Sequence, residues 1–210
     1  MRRNDREKLL DHRRAAGSTV DRRALRTREA LHRTLIGLIL ERDYDSIAVA
    51  DITNAANVGR STFYAHFTDK DDLLRSGLGH LRDMLMEHRK IAAPGDRAAA
   101  GALWFSGFMT AHLKEQHRLY RAMMRGRAGP IIIDRIKDLL SELVRAELIA
   151  AKKASGDPVT PPEIAVRFVV GAYMSVATWW LDRGARESPE EIDQAFRRLA
   201  TDGLKSILRC

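Results

Sequence analysis

Residues 44–74, YDSIAVADITNAANVGRSTFYAHFTDKDDLL, constrain this chain more than any other stretch. Ile47, Ile52, Ala55 and Ala56 form an apolar stripe at helical spacing, and the two alanines are small enough to admit a close neighbouring helix. Asn57-Val58-Gly59 then breaks the helix with residues that tolerate the left-handed backbone of a tight turn. The next helix is expected over residues 61–67, with Phe63 and Phe67, four apart, pinning it to a core. Arg60, Ser61, Thr62, Tyr64 and Ala65 are left facing outward. A short helix anchored by aromatics and presenting Arg, Ser, Thr and Tyr is what entry into a DNA major groove requires. Thr68 is placed to cap a third helix with Asp71 returning the bond, and Lys70 beside that N-terminus is placed to hold a phosphate. Leu73, Leu74, Leu78, Leu81 and Leu85 would carry this third helix unbroken to about residue 90.

Charge agrees with a nucleic-acid partner. The formal net charge is +8, and residues 1–28 hold ten Lys or Arg against four acids. The rest of the chain is nearly balanced. A basic arm directly before the candidate reader suits phosphate contact, although a solvated tail has the same composition. Residues 1–24 read as that flexible arm, because Ala15-Ala16-Gly17-Ser18 interrupts any helix there. From Leu25 or Thr27 to about Arg42 the pattern is helical, with Leu31, Leu35, Leu38 and Ile39 on one face. Arg26, Arg28 and Arg33 sit near its start.

Beyond a loop at residues 92–96, every segment has helical periodicity: about 97–115, 117–125, 131–154, 161–183 and 189–208. Ser188-Pro189-Glu190-Glu191 supplies a cap with Pro at the first helical position. The fold class expected is all-α. A three-helix helix-turn-helix domain (residues 25–72) follows the arm (1–24), and a larger helical domain fills residues 73–210.

Thr62-Phe63-Tyr64-Ala65-His66-Phe67, followed by Lys70 and Leu73-Leu74, resembles the DNA-binding domain of TetR-family transcriptional regulators. Asp51-Ile52, Ala55 and Val58 stand at that family's spacing. The strong resemblance covers residues 27–74; Trp179-Trp180-Leu181-Asp182-Arg183-Gly184 is also similar to the last helix pair of many members. The resemblance implies that Arg60, Ser61 and Thr62 reach bases or phosphates, that Tyr64 and Lys70 contact backbone phosphate, and that His66 lies at a further contact position. Two positions depart from the family pattern. Ala48 and Val49 stand where a capping Thr is common, and Asn57 stands where Gly is usual.

The resemblance further implies a homodimer on a palindromic operator in double-stranded DNA, released by a small-molecule effector of unknown identity. Trp104, Phe108, His112, Tyr120, Met123 and Tyr173, with Phe105, Met109, Met124, Phe168 and Met174, form an aromatic and methionine-rich belt suited to a ligand pocket. Taken singly, each is better read as ordinary core, except His112, for which core and ligand contact are even. Small Gly171, Ala172, Ser175 and Ala177 beside Trp179 and Trp180 mark the last two helices as the dimer face, with Val176, Phe196 and Leu199 completing it. Adjacent Trp179 and Trp180 face different ways, so one of them belongs inside the domain.

Other classes fare worse. The chain has no His-Glu-x-x-His, phosphate-binding glycine loop, nucleophile elbow or cysteine pair, so no catalytic residue, metal site or cofactor is expected. No run approaches eighteen apolar residues and no hydrophobic segment follows Met1, so a cytoplasmic protein with no membrane span is expected. The surviving alternative is an architectural or partner-binding protein that kept the fold without ligand control.

Overall fold

Leu31, Leu35 and Ile39 recur every fourth residue on the first helix and are almost wholly buried, giving it a single apolar edge. The computed structural model describes residues 3–91, 103–155 and 162–204, and side chains within 22–91, 103–150 and 163–201. All of its described secondary structure is helical. The order is α1 (Arg3–Glu41), a 3-10 turn (Tyr44–Ser46), α2 (Val49–Ala55), α3 (Arg60–Tyr64), α4 (Lys70–Ser76), α5 (Leu78–Ile91), α6 (Phe105–Glu115), α7 (His117–Met123), α8 (Ala128–Ser155), α9 (Pro162–Asp182) and α10 (Pro189–Leu204). The chain divides into two units, Met1–Leu74 and Arg75–Cys210. Cys210 and the expected loop at residues 92–96 lie outside the described residues.

Two helix boundaries differ from expectation. α1 is continuous from Arg3, so the stretch expected as an arm is the first half of a helix. Ala15 and Ala16 are strong helix formers, and a lone Gly17 costs only about 1 kcal/mol, too little to break it. The third helix, expected to run unbroken to residue 90, stops at Ser76 and restarts at Leu78. Gly77 between them favours no single backbone conformation, and His80 N–H turns back to its carbonyl at 3.2 Å.

In the first unit, Tyr44, Ile47, Ile52, Phe63, Phe67, Leu73 and Leu74 complete the core begun by α1. Ala55 is exposed, contrary to the expected stripe. The buried face of α2 is centred on Ile52 and Thr53, and at 3.6 residues per turn Ala55 lies nearly opposite Thr53. Ala48 gives α2 no side-chain cap, and Asp51 holds the start of the helix from within its first turn. Its carboxylate accepts the Ala48 N–H at 2.8 Å and pairs with Arg42 at 3.1 Å. The Ala48 hydrogen bond is the main reason its pKa lies below 3.8, with burial opposing and Arg42 adding to it.

The turn closes as a helix C-terminal motif, Val58 N–H reaching Thr53 O at 2.9 Å and Asn57 N–H reaching Asn54 O at 3.2 Å. Asn57 has φ 53°, the left-handed backbone that its type was expected to supply. The cap of α4 is displaced by one residue from expectation. Asp69, not Thr68, accepts the Asp72 N–H at 2.7 Å, and Asp72, not Asp71, accepts the Thr68 N–H at 3.0 Å. Asp71 is taken instead by the Tyr44 hydroxyl.

In the second unit α8 packs on α9 and α10 packs on α6. α10 opens with the expected box: Ser188 N–H donates to Glu191 at 2.8 Å, and Glu191 N–H donates to Ser188 Oγ at 3.2 Å. Contrary to expectation, one segment is apolar and long enough to pass for a membrane span: Glu163–Asp182 of α9, at mean hydropathy 1.4. It is apolar on two sides. Val166, Val169, Tyr173 and Trp180 are core, while Ile164, Phe168 and Trp179 are exposed.

The turn yields a test. Asn57→Gly should leave the thermal midpoint nearly unchanged, whereas Asn57→Val should destabilise the chain by about 1–2 kcal/mol. Thermal unfolding of both variants checks it.

Candidate nucleic-acid interface and helical core

α3 has five residues, and its seat is Phe63, fully buried, with Phe67 behind it at 5.8 Å between ring centroids. Tyr64 meets Phe63 edge-on at 5.4 Å and remains 53% exposed. Arg60, Ser61 and Thr62 are exposed as well, and His66 is half-buried beside Phe67. The helix is shorter than the expected 61–67. Residues 65–67 close it with tight bonds, His66 and Phe67 N–H both reaching Phe63 O at 2.9 Å. One face of the segment is therefore hydrophobic anchor, and the rest offers a guanidinium, two hydroxyls and a phenol to solvent.

Lys70 is placed differently from that set. Its ammonium donates to the carbonyl oxygens of Tyr44 at 2.8 Å and Ile47 at 2.7 Å, turned towards the chain and not outward. Arg28 also has an internal contact, its guanidinium 4.9 Å from the Phe67 ring centre. Tyr44 is not singled out by the sequence, and Asp51 only as a position at the family's spacing, although both shape this unit.

The belt expected in the second unit does not form one cluster. α6 presents two faces. On one, Phe105 meets Tyr173 edge-on at 5.2 Å, and Tyr173 meets Phe196 at 5.2 Å. Thr110 gives its proton to Ser106 O at 2.7 Å, so the Tyr173 hydroxyl donates to Thr110 at 3.2 Å. Ser106 Oγ lies 2.5 Å from Asp193, which Arg197 grips at 2.8 Å. Gly107 allows this approach, since a Cβ there would stand 3.2 Å from the Asp193 carboxylate. Burial pushes the Tyr173 phenol far up, and the Asp193 charge adds to the rise.

On the other face, Phe108 lies between His88 at 4.9 Å and a stacked His112 at 6.1 Å. Trp104 is buried under the Arg89 guanidinium, and its Nε1 has no hydrogen-bond partner among the described residues. Tyr120 is buried too, its Oη forming no well-aligned hydrogen bond there, although the Thr178 hydroxyl is close enough to oppose the rise that burial gives its pKa. Met123 is core, and Phe168 is 48% exposed, outside the belt altogether. Two clefts of about 510 and 770 Å³ open on the surface of α8–α9 and of α10, and none of the six expected ligand residues lines either.

The expected dimer residues also separate. Trp180 and Phe196 are core, with the Trp180 Nε1 donating to Glu187 O at 3.3 Å, so they cannot serve as anchors for a second copy. Trp179 at 51% and Leu199 at 68% exposure remain outside, with Ala172 and Val176 half-buried. The 100° step between neighbours on a helix points the two tryptophans in different directions.

A short anchored helix following a left-handed turn, in a chain that also carries a larger helical unit, is the architecture of a helix-turn-helix regulator. Residues 35–76 match the model of the bacterial regulatory proteins of the tetR family, and residues 105–202 match that of a transcriptional regulator C-terminal region. The chain belongs to the TetR family, whose members are transcriptional regulators and not enzymes. An uncharacterised HTH-type transcriptional regulator of Bacillus subtilis, YxbF, is 37% identical over 75 residues, 35% of this chain and 20% of YxbF. The chain thus matches about a fifth of that relative's length. Among solved structures, a TetR regulator from Streptococcus agalactiae superimposes with TM-score 0.61 at 20% identity, covering 88% of this chain and 98% of the other. FadR from Bacillus subtilis in complex with stearoyl-CoA does so with TM-score 0.63 at 17% identity, covering 83% and 98%. At these identities the likeness is one of fold.

His112 gives this unit a pH dependence. Burial holds its imidazole below the ordinary 6.5, with His80 adding and Glu115 opposing. A folded pKa below the unfolded one means that the unfolded chain binds the proton first. Stability is full above about pH 6.5 and falls as pH drops towards the folded value. His112→Gln should flatten the fall in thermal midpoint below pH 6.5; an unchanged profile would remove His112 as its cause.

Proposed function

We propose that this chain is a DNA-binding repressor that acts in the cytoplasm as a homodimer on a palindromic operator and is released by a small molecule. The observation that carries the DNA half is α3: Arg60, Ser61, Thr62 and Tyr64 exposed around a fully buried Phe63. Arg60 reads a base, since an arginine can bind guanine O6 and N7 together, while Ser61, Thr62 and the Tyr64 hydroxyl hold the backbone and His66 adds a flanking contact. The ten bases of residues 1–28 supply unspecific attraction.

The homodimer rests on the exposed stripe of α9, where Ile164, Phe168, Gly171, Ser175 and Trp179 follow one another at helical spacing. Pairing through it would set two α3 helices at least one DNA turn apart, roughly 34 Å. For the effector, the supporting observation is the Trp104 Nε1, a buried polar atom without a hydrogen-bond partner among the described residues, of the kind that a ligand satisfies. The fold likeness to a FadR seen with stearoyl-CoA supports a small-molecule effector without naming it. The packed state of Phe108, His112 and Tyr173 favours a second reading, a DNA-bound partner protein without ligand control.

Arg60→Ala should weaken operator binding by about 1–3 kcal/mol and relax preference at one base pair per half-site. Competition binding against single-base operator variants checks it, and uniform weakening would deny Arg60 a base. Trp179→Ala should shift sedimentation at micromolar concentration towards monomer with the melting of the monomer intact; Trp180→Ala should instead unfold the second unit, at about 3–5 kcal/mol.

A further inference from the structure

The geometry points to Lys70 as a positioning residue for the DNA reader, one that fastens the loop between α1 and α2 onto α4 instead of lending its charge to a phosphate. This rests on the reading of α3 as the DNA-contacting helix. The Lys70 ammonium has three protons. Around it stand three carbonyl oxygens, those of Ile47 at 2.7 Å, Tyr44 at 2.8 Å and Asp45 at 3.4 Å, and the Tyr44 ring, its centre 4.4 Å away. Tyr44 O also closes the 3-10 turn Tyr44–Ser46 by accepting the Ile47 N–H at 3.1 Å, while Asp45 O and Ile47 O stand at its C-terminal end. A cation there also faces the negative end of the turn's dipoles.

The neighbouring residue grips the same turn from the other side. Tyr44 is almost wholly buried, and its hydroxyl donates to Asp71. Lys70 and Asp71 thus hold one tyrosine by its carbonyl, its ring face and its hydroxyl. What they hold decides where α2 begins. Ile47 is core, Ala48 is the residue that Asp51 caps, and α2 starts at Val49 and packs on α3. Release of the turn therefore displaces α2 and, through it, the bearing of Arg60 and Tyr64. Carrying Lys70 to a phosphate would require breaking these carbonyl contacts first.

Phosphate ligation and positioning predict different variants. A lysine on a phosphate is replaceable by arginine and contributes about one to the slope of log affinity against log salt. A lysine on three convergent carbonyls is not, because a planar guanidinium directs its donors outward in a fork. The test uses the full chain with Lys70→Met and Lys70→Arg. In the free protein, Lys70→Met should raise amide hydrogen exchange at residues 46–49 by about tenfold or more. With operator DNA, both variants should lose about tenfold in affinity at an unchanged salt slope. Unchanged exchange in free Lys70→Met overturns the inference whatever happens with DNA. A slope lower by about one, restored by Lys70→Arg, overturns it even if exchange rises. Should the unmodified chain show no preference for any operator, the DNA reading falls, and the exchange experiment alone decides the role of Lys70.

Discussion

A helix of five residues does not persist in water, because its nucleation costs more than so few hydrogen bonds return. α3 exists because Phe63 is sunk completely into the core of the first unit and Phe67 follows it. Everything that faces outward is set by that anchorage. With residue 63 inward, the helical step turns Arg60, Ser61, Thr62 and Tyr64 to solvent without any further device. The left-handed Asn57 bends the chain sharply enough to bring α3 across α2, and Arg28 closes over the Phe67 ring from α1.

Four carboxylates of this unit are tied to helix starts or to the core, and that shapes its surface. Asp51 starts α2, Asp69 and Asp72 start α4, and Asp71 takes the Tyr44 hydroxyl. Each is tied to a helix start or the core. The exposed residues of α3 include no acid, so a polyanion approaching Arg60 meets no opposing charge from α3 itself. The second unit treats its polar groups differently. Tyr173, Thr110, Ser106, Asp193 and Arg197 join three helices through buried or half-buried bonds, a network whose satisfaction specifies one packing of α6 against α9 and α10.

What the sequence made legible is local. Phe63 and Phe67 four apart, Asn57 at a turn and the Ser188–Glu191 box each depend on neighbours within five residues, and each stands as its spacing implied. With Ala at position 48, α2 has no side-chain cap of its own, and Asp51 three residues on holds the Ala48 N–H instead. Misreadings came where partners are distant or one residue decides a register. Nothing within Asp69–Asp72 says that Asp71 belongs to a tyrosine 27 residues earlier, which shifts the cap to Asp69 and Asp72. Lys70 stands beside a helix start, and nothing near it in sequence announces that its carbonyl acceptors in the free chain lie 23 to 26 residues away. The belt of aromatics was read as one pocket because residue types do not reveal that α6 has Phe105 on one face and Phe108 on another. For Trp179 and Trp180 the spacing implies that they diverge but not which of them is core.

The central claim is that α3, seated on Phe63, reads base sequence as one half of a two-fold pair. The most direct measurement is selection of bound duplexes from a random-sequence pool by the intact protein at moderate salt. The enriched sites should share an inverted repeat with half-site centres at least one helical turn apart. A pool that emerges without any enriched motif would contradict it.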